Sequence, residues 1–586
     1  MNYANNSSLR LKLDAWRARL MLVLLMMAFL VLAGRAVFLQ GLHNGFLQQK
    51  GEARYGRVIQ LSANRGMVAD RHGEPLAIST PVESIWASPE DVEATPQQQR
   101  ELGKLLNLGV AEVRDRLNNG DRNFVYLKRQ ISPELASRVM GLKIPGLFQQ
   151  REYRRYYPAG EVMAHLVGFT SVDEIGQEGL ELAYQKWLTG KPGSRRVIKD
   201  RLGHIIEDVG SVRMPREGRD LTLSIDAKLQ YLAYRELKTA VEVNKAKGGA
   251  LVAIDVITGE VLALVNQPDF NPNNRGKVPG AQTRNRGLTD TFEPGSTLKP
   301  FTIALGLESG KYRPDTVVET AAGRLTIGRA TIRDAHPDGN LTVAQVIQKS
   351  SNVGAAKIAL SLEAEQMWRL FNGVGFGTIP KTGFPGEASG KLRPYKTWKP
   401  IEQATMAYGH GIAVSLLQLA RAYTIFADDG NLHDLTFVKN SGADSFGKNR
   451  VAGASRPVIS PGTARAVREM MEAVTQPGGT APRAAVTGYR VAGKTGTAHK
   501  QEGRGYAHNR YVSSFVGLAP ASNPRLIIAV MLDEPAGGQY YGGTVAAPVF
   551  SAVMGGALRM LGVPMDSPLR SAALPLSSIP VIKEES

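Results

Sequence analysis

Cysteine is absent from all 586 residues. That excludes disulfides, thiolate zinc sites and thiol nucleophiles, but it leaves the compartment open, because a cysteine-free chain fits any of them. Aromatic residues make up only 7% of the sequence. Lys plus Arg number 71 against 53 Asp plus Glu, a formal net charge of +18 that suits a polyanionic partner or an anionic membrane surface. No dense Lys/Arg block, zinc-ligand spacing or aromatic RNA-binding signature accompanies that charge, so no nucleic acid partner is expected. Neither a metal nor a cofactor is expected. Internal repeats are lacking, and low complexity is confined to "SPLRSAALPLSSIPVIKEES", whose Ser and Pro content predicts a disordered tail over 564–586.

Long hydrophobic runs are also missing, with one exception. Leu20 to Gly34 is unbroken apolar sequence, preceded by Arg10, Lys12, Arg17 and Arg19, and apolar character resumes after Arg35 in "AVFL". The Leu, Val and Phe residues of this core favour insertion by roughly 3 to 5 kcal/mol in sum. Arg35 sits near the outer end, where its stem can snorkel. The expectation is a transmembrane helix over 20–39 that anchors the chain in the inner membrane. The basic tail, 1–19, then lies in the cytoplasm and everything beyond about residue 40 in the periplasm. A cleaved signal peptide is the competing reading.

A chain of this length divides into several domains. Between 40 and 220 it mixes short β-patterned and helical runs. "GRVIQLSANRGMVAD" reads as two extended pieces around a turn, and "DVEATPQQQRELGKLLNLG" as a helix closed by Gly109. No catalytic cluster shows here, and Asp70, Arg71 and His72 read as a turn after a strand. From about 221 the texture changes. "DLTLSIDAKLQYLAYRELKTAV" passes from strand alternation into a helical period, and "GALVAIDVITGEVLALVN" is a hairpin with Gly259 at its turn. "RYVSSFVGLAP" and "RLIIAVMLDEP" read as strands, and "APVFSAVMGGALRMLG" as a helix with Pro548 in its first turn. Strands from both ends of a region with helices between them predict one mostly antiparallel sheet covered by helices, an α+β multidomain fold.

The chemistry starts in "FEPGSTLKP". Ser296 and Lys299 are one helical turn apart on one face, and a serine hydroxyl needs a base such as a desolvated lysine to become a nucleophile. Ser-x-x-Lys alone is weak. "QKSSNVGAAKIAL" adds Ser350 and Asn352, and "AGKTGTA" adds Lys494, Thr495, Gly496 and Thr497. With these three boxes in this order the sequence resembles the penicillin-binding family. "RGMVADRHGEPLA", "RRYYPAGEVMAHLVGF" and "NPNNRGKVPGAQTRNRGLTDTFEPGST" resemble segments of its class B division type, the penicillin-binding protein 3 (FtsI) family. The resemblance runs from the anchor to about residue 563.

The resemblance implies a non-catalytic pedestal (dimerisation-type) domain over 40–220 and a transpeptidase domain over 221–563. It implies a serine-type D,D-transpeptidase that crosslinks peptidoglycan stem peptides at the septum and is acylated by β-lactams, with an FtsW-type glycosyltransferase and other division proteins as partners. Ser296 is then the nucleophile and Lys299 its base. Ser350 relays a proton to the leaving amine, Lys494 sustains positive potential, and Asn352 holds the donor amide. Thr495 and Thr497 bind the terminal carboxylate of D-alanyl-D-alanine, and the N–H groups of Ser296 and Thr497 form an oxyanion hole. Gly496 leaves room for a peptide added at a sheet edge.

Two points stand against a simple match. "GYRVAGKTGT", from Gly488, also fits the P-loop pattern, but it alternates through the supposed loop and is followed by Gly-rich charged sequence rather than a helix, so no nucleotide is expected. His410 in "YGHGIAVSLLQLA" stands where the family often has another residue. It is expected to pack, with a pH-responsive role as the alternative. A non-catalytic membrane scaffold or β-lactam sensor that keeps the fold is the alternative for the whole chain.

Overall fold

The computed structural model describes residues 14–39, 56–118, 124–199, 205–276, 278–439, 454–503 and 505–567. Arg10, Lys12 and the tail beyond 567 lie outside the described residues. The apolar run forms helix α1, Ala15–Val37, with mean hydropathy 2.5 in its 18-residue window and none of that window buried. At 1.5 Å per residue it spans about 35 Å, enough for a hydrocarbon core of about 30 Å.

The chain forms two compact units that do not follow sequence order. One holds residues up to 63, 81–153 and 190–217; the other holds 64–80, 154–189 and everything from 218. The first contains an antiparallel sheet of Gly56–Leu61, Gly193–Lys199 and Ile205–Arg213. It also has a small core around Ile85, Leu102, Val113, Leu127 and Val139. Its helix Pro96–Leu106, expected from the sequence, opens on a Thr95/Gln98 capping box but ends at Asn107, which is left-handed (φ 53°). The Leu108 N–H then closes on the Gly103 carbonyl at 2.8 Å. Asn tolerates that conformation, so Gly109 is not the stop but the residue that opens the next helix, Val110–Leu117.

The second unit is built on five antiparallel strands. These are β1 (Gly248–Asp255), β2 (Val261–Gln267), β3 (Ala492–Glu502), β4 (Gly505–Ala519) and β5 (Leu526–Asp533), in the spatial order β2-β1-β5-β4-β3. The β1–β2 hairpin turns at Gly259 (φ 67°), as its sequence predicts. Every residue of β1, β2 and β5 is buried, so the sheet needs cover on both faces. Helices α2 (Ala227–Val243) and α5 (Ala547–Met560) pack on each other and on the sheet, and the helix Leu416–Ala422 packs on β1 and β5. Between β2 and β3 the chain is mainly helical, including α3 (Lys299–Glu308) and α4 (Asn352–Leu360). This is the α+β arrangement expected.

Segments 64–80 and 154–189 are tied together within this unit by a buried ion cluster. Arg65 Nε and Arg155 Nε each donate to a different Glu181 oxygen at 2.7 Å. The stretch at Asp70 is the turn expected: its Oδ1 accepts the N–H groups of His72 (2.8 Å) and Glu74 (2.9 Å).

Candidate active site

All the predicted site residues fall in the second unit, on three elements that meet. Gly295 (φ 56°) bends the chain into a 3-10 turn, Gly295–Leu298, which runs directly into α3 at Lys299. Ser296 is therefore half-buried at the head of a helix and Lys299 is fully buried one turn on. Ser350 precedes α4 in a left-handed conformation (φ 61°) that turns both its carbonyl and its hydroxyl toward Lys299. Lys494 is fully buried in β3, the edge strand of the sheet.

Lys299 Nζ is surrounded by four oxygens: Ser296 Oγ at 2.9 Å, Ser350 Oγ at 3.0 Å, Asn352 Oδ1 at 2.8 Å and the Ser350 carbonyl in a very short contact. An ammonium has only three hydrogens to give. The carbonyl and the amide oxygen can only accept, whereas the two hydroxyls can also donate. A neutral amine also makes three bonds, donating to Ser350 O and Asn352 Oδ1 and accepting the Ser296 hydroxyl, which is the arrangement of a base with its nucleophile and leaves Ser350 Oγ beside it for another donor. Electrostatics favours that state. Burial first, and then the charge on Lys494, push Lys299 well below the ordinary lysine range, with Asp334 opposing them. Burial alone brings Lys494 down to about 7. Its Nζ donates to Ser350 Oγ at 2.9 Å, so that hydroxyl bridges the two lysines.

β3 carries the rest. Thr495 Oγ1 meets Thr480 Oγ1 at 2.9 Å, and Thr497 Oγ1 accepts the Gly542 N–H at 3.0 Å, keeping its own hydrogen to give. The Thr497 backbone nitrogen lies beside Gly295, 3.6 Å from where a Cβ there would stand. Gly496 has a reason beyond the one expected. A Cβ on it would stand 2.4 Å from Ser514 Oγ and 2.8 Å from the Pro294 carbonyl, so it faces the nucleophile turn, and glycine is needed for that turn to dock. β3 continues as strand to Glu502 and no helix starts near Lys494, so the backbone geometry of a P-loop is not formed.

One residue essential to this geometry escaped the sequence. Asp334, just after the strand Ala330–Arg333, accepts the N–H groups of Asn352 (2.5 Å) and Val353 (2.9 Å) on Oδ1 and the Ser351 hydroxyl on Oδ2 (2.7 Å). The neighbouring Arg333 carbonyl accepts Asn352 Nδ2 at 3.0 Å, which leaves Oδ1 aimed at Lys299. Only the sequence proximity of an acidic residue to a Thr- and Arg-rich strand marks it, and that is no signal. His410 packs as expected, edge-on to Tyr408 (5.2 Å) and near Tyr506 (5.8 Å). Burial and the charges on Lys299 and His499 hold it down to about 4, so the imidazole is neutral at pH 7. Among the described residues no group of three or more His, Asp or Glu is placed to hold a metal ion.

Residues 249–555 match the family described as "Penicillin binding protein transpeptidase domain", and residues 60–223 match "Penicillin-binding Protein dimerisation domain". The chain is 43% identical over 562 residues, 95% of each chain, to the "Probable peptidoglycan D,D-transpeptidase PenA" of Neisseria gonorrhoeae. It is 42% identical over 559 residues, 94% of this chain and 93% of the other, to the "Peptidoglycan D,D-transpeptidase FtsI" of Escherichia coli. Among solved structures, the transpeptidase domain of Burkholderia pseudomallei penicillin-binding protein 3 is 52% identical with a TM-score of 0.54, covering 59% of this chain and 98% of that one. A peptidoglycan synthetase from Bifidobacterium adolescentis is 25% identical with a TM-score of 0.70, covering 88% of this chain and 98% of that one. Both parts of the chain are accounted for together, and the chain therefore belongs to the penicillin-binding protein transpeptidase family, in the form that joins a dimerisation domain to the transpeptidase domain.

Proposed function

We propose that the chain is a peptidoglycan D,D-transpeptidase that crosslinks stem peptides at the division septum through an acyl-enzyme on Ser296. The observation that carries this reading is the buried, neutral-leaning Lys299 amine with the Ser296 hydroxyl 2.9 Å away. Lys299 takes the hydroxyl proton as Oγ attacks the carbonyl of the penultimate D-alanine. The proton passes through Ser350, under the field of Lys494, to the nitrogen of the departing D-alanine, and an ester on Ser296 remains. An acceptor amine then attacks that ester and loses a proton, and Ser296 regains its own. In a β-lactam the same attack opens the ring amide, but the leaving nitrogen stays tethered and blocks the acceptor. The Ser296 and Thr497 N–H groups stabilise the oxyanion, a kind of donor worth about 3 to 4 kcal/mol each in other hydrolases. Lys494, Thr495 and Thr497 receive the terminal carboxylate, and Asn352 holds the donor amide.

The same reading places 1–19 in the cytoplasm, α1 in the inner membrane and the remainder in the periplasm, and it assigns 40–220 as a pedestal and 221–563 as the catalytic domain. It takes an FtsW-type glycosyltransferase as the partner. Labelling with fluorescent penicillin tests the chemistry: Ser296→Ala should abolish the adduct, and Lys299→Ala should slow its formation by about a hundredfold or more. Depletion in cells, with crosslink analysis and imaging, tests the biology. An adduct mapped to another residue, or normal septa and crosslinks after depletion, would overturn the respective half.

A further inference from the structure

Glu293 lies three residues before Ser296 and its side chain is only 2% exposed. Its Oε1 accepts from three separate places: the Gly411 N–H at 2.8 Å, Gln501 Nε2 in β3 at 2.8 Å, and the Tyr506 hydroxyl in β4 at 3.3 Å. The backbone is drawn together at the same points. Phe292 and Val414 exchange both N–H···O bonds at 3.0 Å, and a Cβ on Gly409 would stand 2.2 Å from the Gly295 carbonyl. The nucleophile turn, the 408–414 loop and the β3–β4 hairpin thus meet at one carboxylate.

The other oxygen, Oε2, is buried without a hydrogen-bond partner, and His410 Nδ1 stands 3.5 Å from it. A purely structural knot would be served by glutamine, which offers the same acceptor oxygen plus an N–H for His410 and no charge to bury. Retaining the carboxylate is what calls for explanation. His410 faces Lys299 and His499 as well as the rings of Tyr408 and Tyr506, and Glu293 faces Tyr506, Gln501 and the Gly411 N–H. Burial raises Glu293, while His410 is held neutral. His410 Nδ1 also stands 3.4 Å from the Tyr506 hydroxyl, and a proton taken up by this cluster on the acid side would put an O–H on Glu293 facing Nδ1 and make Oε1 a weaker acceptor for its three donors.

We propose that Glu293 is a positioning residue for acyl transfer at Ser296, locking the 408–414 loop and the β3–β4 hairpin to the nucleophile turn, with His410 as the partner that shares its proton. This rests on the reading of Ser296 as nucleophile. The test is the second-order rate constant for acylation by fluorescent penicillin, measured on the full chain in detergent from about pH 4 to about pH 9, with adduct mapping and thermal unfolding of each variant. E293A should lower the rate constant by about tenfold or more near neutral pH, with the adduct still on Ser296. The wild-type profile should bend a second time on the acid side, in addition to the limb set by Lys299. E293Q should keep most of the neutral rate but lose that second bend, and H410Q should lose it too. An E293A rate within about twofold of wild type, or a second bend that is absent from wild type or kept in both E293Q and H410Q, would overturn the proposal. If E293A fails to fold, E293Q and H410Q decide it. A wild-type adduct anywhere but on Ser296 would instead sink the reading on which it rests.

Discussion

At the scale of single residues, the proposed mechanism has the two lysines divide one task by their charge. In it Lys299 serves as a base only when neutral, and Lys494 binds a carboxylate only when charged. Lys299 loses its proton first, because burial and the charge on Lys494 both push it down, whereas Lys494 keeps its proton to about 7. Acylation should therefore rise with pH as Lys299 deprotonates and fall above about 7 as Lys494 does, a bell whose alkaline limb disappears in Lys494→Ala. A profile whose alkaline limb survives that substitution would contradict the assignment. Asp334 offers a second check. With three hydrogen bonds to the Ser351–Val353 backbone and hydroxyl, it caps α4 and fixes Asn352. Asp334→Ala should cost about 1 kcal/mol of stability as a lost cap and about tenfold in acylation. Because Asp334 favours the charged form of Lys299, its removal should also move the acid limb to lower pH. A simple loss of folded protein would leave that limb in place.

At the scale of elements, the site is an encounter between an edge strand and a helical turn. β3 docks on the Ser296 turn, with Lys494 reaching the Ser350 hydroxyl, and Gly496 permits the approach. Gly496→Ala places a methyl within 2.4 Å of Ser514 Oγ and 2.8 Å of the Pro294 carbonyl, so the turn or the strand has to move. The expected result is a loss of about 1 to 3 kcal/mol in denaturant unfolding, together with a larger fall in acylation than the stability loss explains. Unchanged acylation would show that the two elements have slack at that point. The position of Gly496 was readable from the Lys-Thr-Gly box, but this reason was not, because the opposing Pro294 lies about 200 residues away in sequence, a separation no local pattern spans.

At the scale of the molecule, the second unit recruits chain from far outside the catalytic sheet. Its core includes Val68, Leu76, Tyr157, Leu166, Leu180 and Leu188 along with the residues of β1 and β5. A fragment of residues 221–567 lacks those side chains and exposes their neighbours. It should still be labelled at Ser296, since every predicted site residue is present, but it should melt at least about 5 °C below the full chain. Equal melting temperatures would mean that segments 64–80 and 154–189 contribute little to the unit. A folded fragment that cannot be labelled would show that chemistry depends on them.

Much of this protein was legible in its sequence because the deciding physics is local. The span of α1, the β1–β2 hairpin with Gly259 and the Asp70 turn follow from apolar length, alternation and turn residues, which neighbouring positions settle among themselves. Three short boxes were enough to pick out residues that the fold brings together, since Ser296 and Lys299 are one turn apart and the others carry distinctive side chains. Other features came only with the tertiary structure. The lowering of Lys299 arises from burial and from Lys494, which is remote in sequence. Asp334 and Glu293 matter because of what the fold brings beside them. Even the helix stop at Asn107 rather than Gly109 was a choice between two residues that both allow a left-handed turn. The sequence by itself determined which groups are present and in what local order. The fold decided which of them lose water and face one another, because desolvation and charge coupling act through space rather than along the chain.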